Sequence, residues 1–102
     1  MGFALHPETI EDLDEIHDYI NRFNFRAAND VLNEIISAFD SLVLFPYQGH
    51  RLPDLTSRPL RFKVIRNYLI AYAPDQIPVW IVAVVDGRRN PRVIAALLRG
   101  RE

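Results

Sequence analysis

The sequence predicts an α+β domain: an antiparallel β-sheet made of an N-terminal strand plus a three-strand meander, packed by an N-terminal α-helical hairpin and followed by a short C-terminal helix. Three observations carry this. From Pro7 to Phe45 the apolar residues recur every three or four positions, the spacing of helices that bury one face. From Leu60 to Val85 the period falls to two, the spacing of strands. The links between those strands are short, as antiparallel neighbours allow.

Residues 2–5 are a short apolar run closed by Pro7, and read as the first strand. Pro7 suits the first position of a helix, where its missing N–H would be unpaired in any case. Ile10, Leu13, Ile16, Ile20 and Phe23 form the apolar stripe of a helix over 7–23. Glu11, Glu15, Asp18 and Arg22 fall on its solvated side, and acids in the first turns suit the positive end of the helix dipole. Asn21 to Asn24 reads as a tight corner, with Asn24 as the N-cap of a second helix. That helix runs from Phe25 to Phe45, with Ala28, Val31, Leu32, Ile35, Ile36, Phe39, Leu42 and Val43 apolar. Its wider stripe predicts deeper burial. The short corner makes the two helices antiparallel. Pro46 stops the second helix, and residues 46–59, rich in proline, read as a surface loop.

Leu60 to Arg66 then alternates Arg61, Lys63 and Ile65 on one side with Phe62, Val64 and Arg66 on the other. Tyr68 to Ala73 is a second alternating strand, and residues 74–78, with a proline at each end, are a turn. Val79 to Val85 is a third, continuously apolar strand, ended by Asp86-Gly87. Pro91 to Leu98, with Val93, Ile94, Leu97 and Leu98 apolar, reads as a short helix. The expected core includes Ile16, Ile20, Leu32, Ile35, Phe39, Phe62, Tyr72, Ile81 and Ala83.

The chain has 102 residues, which suits one domain over 1–102. Its 49% hydrophobic and 25% charged residues exclude general disorder. It has no cysteine, so disulfides, thiolate metal sites and cysteine nucleophiles are out. The N-terminus lacks the basic and apolar regions of a signal peptide, and the longest apolar run is far short of a bilayer span. The expectation is a small cytoplasmic domain with no membrane partner.

The histidines His6, His17 and His50 are scattered without metal-ligand spacing, so no metal or other cofactor is expected. His17 borders the first apolar stripe and reads as a packing residue. His50 sits in the loop, where a general-base role is the alternative to plain exposure. The acids of the first helix are evenly spread, as on a solvated face rather than a carboxylate pair. Four glycines form no phosphate loop, and no serine sits in a nucleophile elbow.

The charge is more telling. Residues 1–55 carry a net −7 and residues 56–102 a net +6. Arg61 and Lys63, two apart, share a sheet face. Arg88, Arg89 and Arg92 follow the last strand. If the meander brings its first strand's start to the end of its last, Arg61, Lys63, Arg88 and Arg89 gather in one patch. Such a patch suits phosphates or an acidic protein segment. The alternative is a sheet edge charged against aggregation.

Four motifs, in order, resemble those of the ParE/RelE toxin superfamily. "LHPETIEDLDEIHDYI" is similar to its opening strand, turn and helix, matched at Asp12, Leu13, Ile16, Tyr19 and Ile20. "FPYQGHRLPDL" resembles its loop, matched at Pro46, Gly49 and Leu55. "LRFKVIRNYLIAYAP" resembles its strand pair, matched at Arg61, Ile65, Tyr68, Ile70 and Tyr72. "IVAVVDGRRNPRVIAALL" resembles its closing turn and helix, matched at Val84, Gly87, Arg89 and Asn90, with Asp86 in place of the usual His.

The resemblance implies a toxin of a type II toxin–antitoxin module of the plasmid-stabilisation kind, held in a hetero-oligomer by a cognate antitoxin. It also implies that a helical or extended antitoxin segment lies along the hairpin and sheet. RelE-like members are ribosome-dependent mRNA endonucleases, and on that branch Arg61, Lys63 and Arg89 would be the catalytic set, with ribosome and mRNA as partners. ParE-like members inhibit DNA gyrase. No Tyr or His follows Tyr72, and the net charge is only −1, which favours the ParE-like branch and a non-enzymatic action. On that branch Arg61, Lys63, Arg88, Arg89 and Arg92 are the expected target-binding residues. A non-toxic antitoxin-binding module is the third alternative.

Overall fold

The computed structural model describes residues 2–101; Met1 and Glu102 lie outside them. The elements follow the expected order: β1 (Phe3–Leu5), α1 (Pro7–Asn21), α2 (Phe25–Leu44), β2 (Arg61–Ile65), β3 (Tyr68–Ala73), β4 (Val79–Asp86) and α3 (Pro91–Arg99). Local chemistry sets the helix starts. His6 Nδ1 accepts the Glu8 N–H at 3.0 Å, with Pro7 opening α1. Asn24 Oδ1 accepts the Ala27 N–H at 3.0 Å at the head of α2. Asn90 Oδ1 accepts the Arg92 N–H at 2.8 Å, with Pro91 opening α3.

The sheet order is β1-β4-β3-β2. The meander is antiparallel as expected, with Arg61 opposite Tyr72 and Ile65 opposite Tyr68. β3 and β4 pair from Tyr68↔Asp86 to Ala73↔Trp80, with a register shift at Ala71/Tyr72. One pairing differs from the expected wholly antiparallel sheet: β1 runs parallel to β4, with Phe3 beside Val79 and Leu5 beside Ile81. The reason is topological. Two reversals in the meander leave β4 pointing the way β2 does, and the helical hairpin is the long crossover that lets β1 share that direction.

Both sheet faces are covered, which explains the unbroken apolar run of β4. The α1–α2 hairpin packs Val31, Ile35, Phe39 and Leu42 against Tyr68, Ile70, Tyr72 and Ile81. On the other face α3 packs Ile94 and Leu98 with Leu60, Phe62, Ala83 and Val85. Of the expected core, Ile35, Phe39, Phe62, Tyr72, Ile81 and Ala83 are buried; Ile16, Ile20 and Leu32 are half-buried. The stripe of α1 is corrected at both ends. Ile10 is 52% exposed and Phe23 75%, while Thr9 and Asp12 turn inward. Leu13, Ile16 and Ile20 pack on the core as expected, while Thr9 and Asp12 turn to the edge of β4 because they bond its backbone there. Ile36 of α2 is likewise exposed.

Candidate functional site

β1 pairs with β4 only as far as Ile81, so the outer edge of β4 from Val82 onward has no strand beside it. Side chains close that edge instead. Thr9 Oγ1 donates to the Val82 carbonyl at 2.8 Å. Asp12 Oδ2 accepts the Val84 N–H at 3.0 Å. Arg101 reaches round from beyond α3 and donates to the Val82 carbonyl at 3.1 Å and to Asp12 Oδ1 at 2.8 Å. Asp12 and Arg101 are 8% and 7% exposed, so two opposite charges are held together almost out of water. The bonds from Asp12 hold the Arg101 guanidinium above its ordinary pKa.

Past this closure the edge opens into a cleft of about 620 Å³ between α1 and the β4–α3 turn. Glu8, Glu11 and Glu15 form one wall, at the i, i+3, i+7 spacing of a single helix row. Ile16, Tyr19, Tyr68 and Leu97 give it an apolar lining, and Arg88 and Arg89 form the far wall. With Asp12, Asp86 and Arg101 included, the lining holds five carboxylates against three guanidinium groups. The cleft is net negative, although it holds two of the arginines expected to make a basic patch.

Asp86 shapes the turn. Its carboxylate accepts from the Arg88 N–H at 2.9 Å and from the Arg88 guanidinium at 3.1 and 2.8 Å. These bonds, the guanidinium first, bring the Asp86 pKa down to about 2. At neutral pH the pair is a fixed ion pair and holds no transferable proton.

The structure does not gather Arg61 and Lys63 with Arg88 and Arg89. Arg61 lies in register with Tyr72, and Tyr72 with Ile81, at the start of β4. Arg88 and Arg89 follow Asp86 at the other end, roughly 17 Å further along at about 3.4 Å per residue. The expectation failed because β2 and β4 run the same way, so the start of one cannot meet the end of the other. Arg61 is occupied there. It donates to the Gly49 carbonyl at 2.8 Å and lies 5.2 Å over the Tyr47 ring. Lys63 stands between, opposite Ile70 on the edge strand. Arg92 is exposed in the first turn of α3, beside Arg89 in sequence.

The remaining candidates resolve simply. His17 bonds Asn29 Oδ1 at 3.0 Å and ties α1 to α2. His50 is exposed, and its backbone bridges Phe62. Among the described residues no group of three or more His, Asp or Glu is placed to hold a metal ion. No described helix is long and apolar enough to cross a membrane.

The family model described as the ParE toxin of type II toxin-antitoxin system, parDE, matches residues 3–91. The chain belongs to the ParE toxin family. It is therefore a toxin of the type II toxin–antitoxin class, and that class implies an antitoxin partner. No curated protein matches it. The match covers β1 to the head of α3, so Asp12 and the Arg88–Arg89 turn lie within it and Arg101 beyond it. Sequence reasoning missed Thr9, Asp12 and Arg101 as functional positions. The signal was present: Thr9, Asp12 and Ile16 recur at i, i+3, i+7, a helix row of which two members are polar.

Proposed function

We propose that this ParE-family toxin arrests growth by binding DNA gyrase stoichiometrically, and that its cognate antitoxin neutralises it. The observation that supports this over RNA cleavage is the separation of Arg61 from Arg89. A ribonuclease must take a proton from a 2′-hydroxyl and deliver one to the leaving oxygen, with its groups around a single phosphate. Arg61, Lys63 and Arg89 do not converge on one point, and arginine does not give up its proton at neutral pH. Asp86, held ionised by Arg88, supplies no acid either. The target-binding group is Arg89 with Arg88 and Arg92 at the β4–α3 end, where directional guanidinium contacts suit a protein surface.

Two assays on the purified chain test this. DNA supercoiling by gyrase falls as the chain is titrated in, while mRNA on programmed ribosomes stays intact. Cleavage of that mRNA with gyrase unaffected would reverse the assignment to the RelE-like alternative. A chain that does neither and arrests no growth would be the inert antitoxin-binding module.

A further inference from the structure

The turn between β4 and α3 is held by a side chain at each end. Asp86 Oδ1 accepts the Arg88 N–H at 2.9 Å, and the Asp86 carbonyl accepts the Arg89 N–H at 3.2 Å. Asn90 Oδ1 accepts the Arg92 N–H at 2.8 Å where α3 begins. Between them the Gly87 N–H donates to the Asn67 carbonyl at 2.7 Å and ties this turn to the one joining β2 and β3. The two turns lie in contact there: a Cβ on Gly87 would stand 3.3 Å from that carbonyl oxygen and 3.2 Å from Leu69 Cγ. The backbone that carries Arg88 and Arg89 is therefore set before any partner arrives.

Asp86 also holds a side chain. Its two carboxylate oxygens take Nε and Nη2 of Arg88 at 3.1 and 2.8 Å. The Arg88 side chain is nonetheless 74% exposed, so one edge of the guanidinium is clamped and the rest still meets water. Charge alone does not account for this carboxylate, since an acid among arginines weakens their attraction for an acidic surface. What it supplies is order. An arginine already held in one geometry loses less rotamer freedom on binding than a free one. Arg89 has no ion pair among the described residues, and its direction rests on the turn that Asp86 closes.

We infer that Asp86 is a positioning residue for target binding: it aims Arg88 directly through its carboxylate, and Arg89 through the turn. The inference deepens the proposed function and rests on it for the target. Asp86 itself touches no target. It turns two flexible cations into one clamped donor and one turn-set donor. Such an arrangement suits a protein surface that carries carboxylates at a set spacing, rather than a diffuse negative field.

The experiment titrates the purified full chain and its variants into a gyrase supercoiling assay. Asp86→Ala removes both the clamp and the side-chain bond of the turn. Asp86→Asn keeps an oxygen for the Arg88 N–H and loses the ion pair. Circular dichroism and thermal unfolding check that each variant is folded. Removing a negative charge beside two arginines would by itself strengthen binding to an acidic surface. Positioning predicts the opposite sign: the half-inhibitory concentration rises about tenfold for Asp86→Ala, and less for Asp86→Asn. On an Arg88→Ala background the Asp86→Ala change costs clearly less than in the wild type, because the clamp has lost its object. A purely structural role would cost the same on both backgrounds. Inhibition by both Asp86 variants that equals or exceeds the wild type, or an equal loss on the two backgrounds, overturns the positioning role and leaves gyrase as the target. A wild-type chain without effect on supercoiling overturns the target, and the inference with it.

Discussion

Asp12 and Arg101 stand 89 residues apart in the chain and meet as a two-pronged ion pair across the open edge of β4. The pair joins α1, on one face of the sheet, to the segment after α3, on the other. It also satisfies the Val84 N–H and Val82 carbonyl, which the short β1 leaves without a strand. One salt bridge therefore closes the fold, seals an edge and forms the inner end of the cleft.

Removing one member leaves the other charged and buried. Arg101→Ala is expected to lower unfolding free energy by about 3–5 kcal/mol, the usual cost of breaking a buried pair. Urea denaturation with a linear fit measures it. A loss near zero would mean that water reaches Asp12 freely.

A second prediction concerns the 46–50 loop. The Tyr72 hydroxyl donates to the Pro46 carbonyl at 2.7 Å and accepts the Gly49 N–H at 3.0 Å. Tyr72→Phe strands both groups and should cost about 1–3 kcal/mol. Gly49→Ala should cost more, because a Cβ there would lie 2.6 Å from the Tyr72 hydroxyl and 2.8 Å from the Phe62 carbonyl oxygen. Thermal unfolding of the two variants ranks them, and the reverse order would refute the packing argument.

Phe39 is a third test, this time of the core. It is buried on α2 with its ring centroid 5.4 Å from that of Phe3. Phe39→Ala should destabilise by about 3–5 kcal/mol through lost burial and a cavity. Chemical denaturation reads the value directly.

The Asp86–Arg88 pair gives a pH prediction. The Asp86 pKa is lowered to about 2 by its bonds to Arg88. In the unfolded chain it returns to about 4. Its contribution to stability is therefore complete above pH of about 4 and is lost as pH falls through about 2. Carbon NMR of the Asp86 carboxylate should show a midpoint near 2, and Asp86→Asn should remove this acid limb. A midpoint near 4 would show the turn open in solution.

Much of the fold was legible because periodicity is local. The shift from three-and-four spacing to alternation near Leu60 places the hairpin and the meander, and Pro7, Asn24 and Pro46 mark helix ends that the structure reproduces within a residue or two. The parallel placement of β1 was not legible, since three residues carry no signal of which neighbour they choose. The charged residues were legible as types and not as positions. Arg61 and Arg89 look alike in the sequence, yet one braces a loop and the other lines a cleft. That difference depends on strand direction, which becomes visible only once the sheet is assembled. Arg66 was equally silent. It takes a left-handed φ of 55° at the β2–β3 turn, where glycine or asparagine is the usual choice, and its guanidinium pairs with Glu34.

On the proposed function, toxicity resides at the β4–α3 end of the molecule and requires no catalytic trio. The most direct measurement is growth after induction, without antitoxin, of Arg89→Ala and Lys63→Ala, each shown to be folded by circular dichroism. Both side chains are free of ion pairs among the described residues, so neither change should disturb folding. Arg89→Ala is expected to restore growth, and Lys63→Ala to arrest it as the wild type does. A harmless Lys63→Ala beside a fully toxic Arg89→Ala would contradict that assignment.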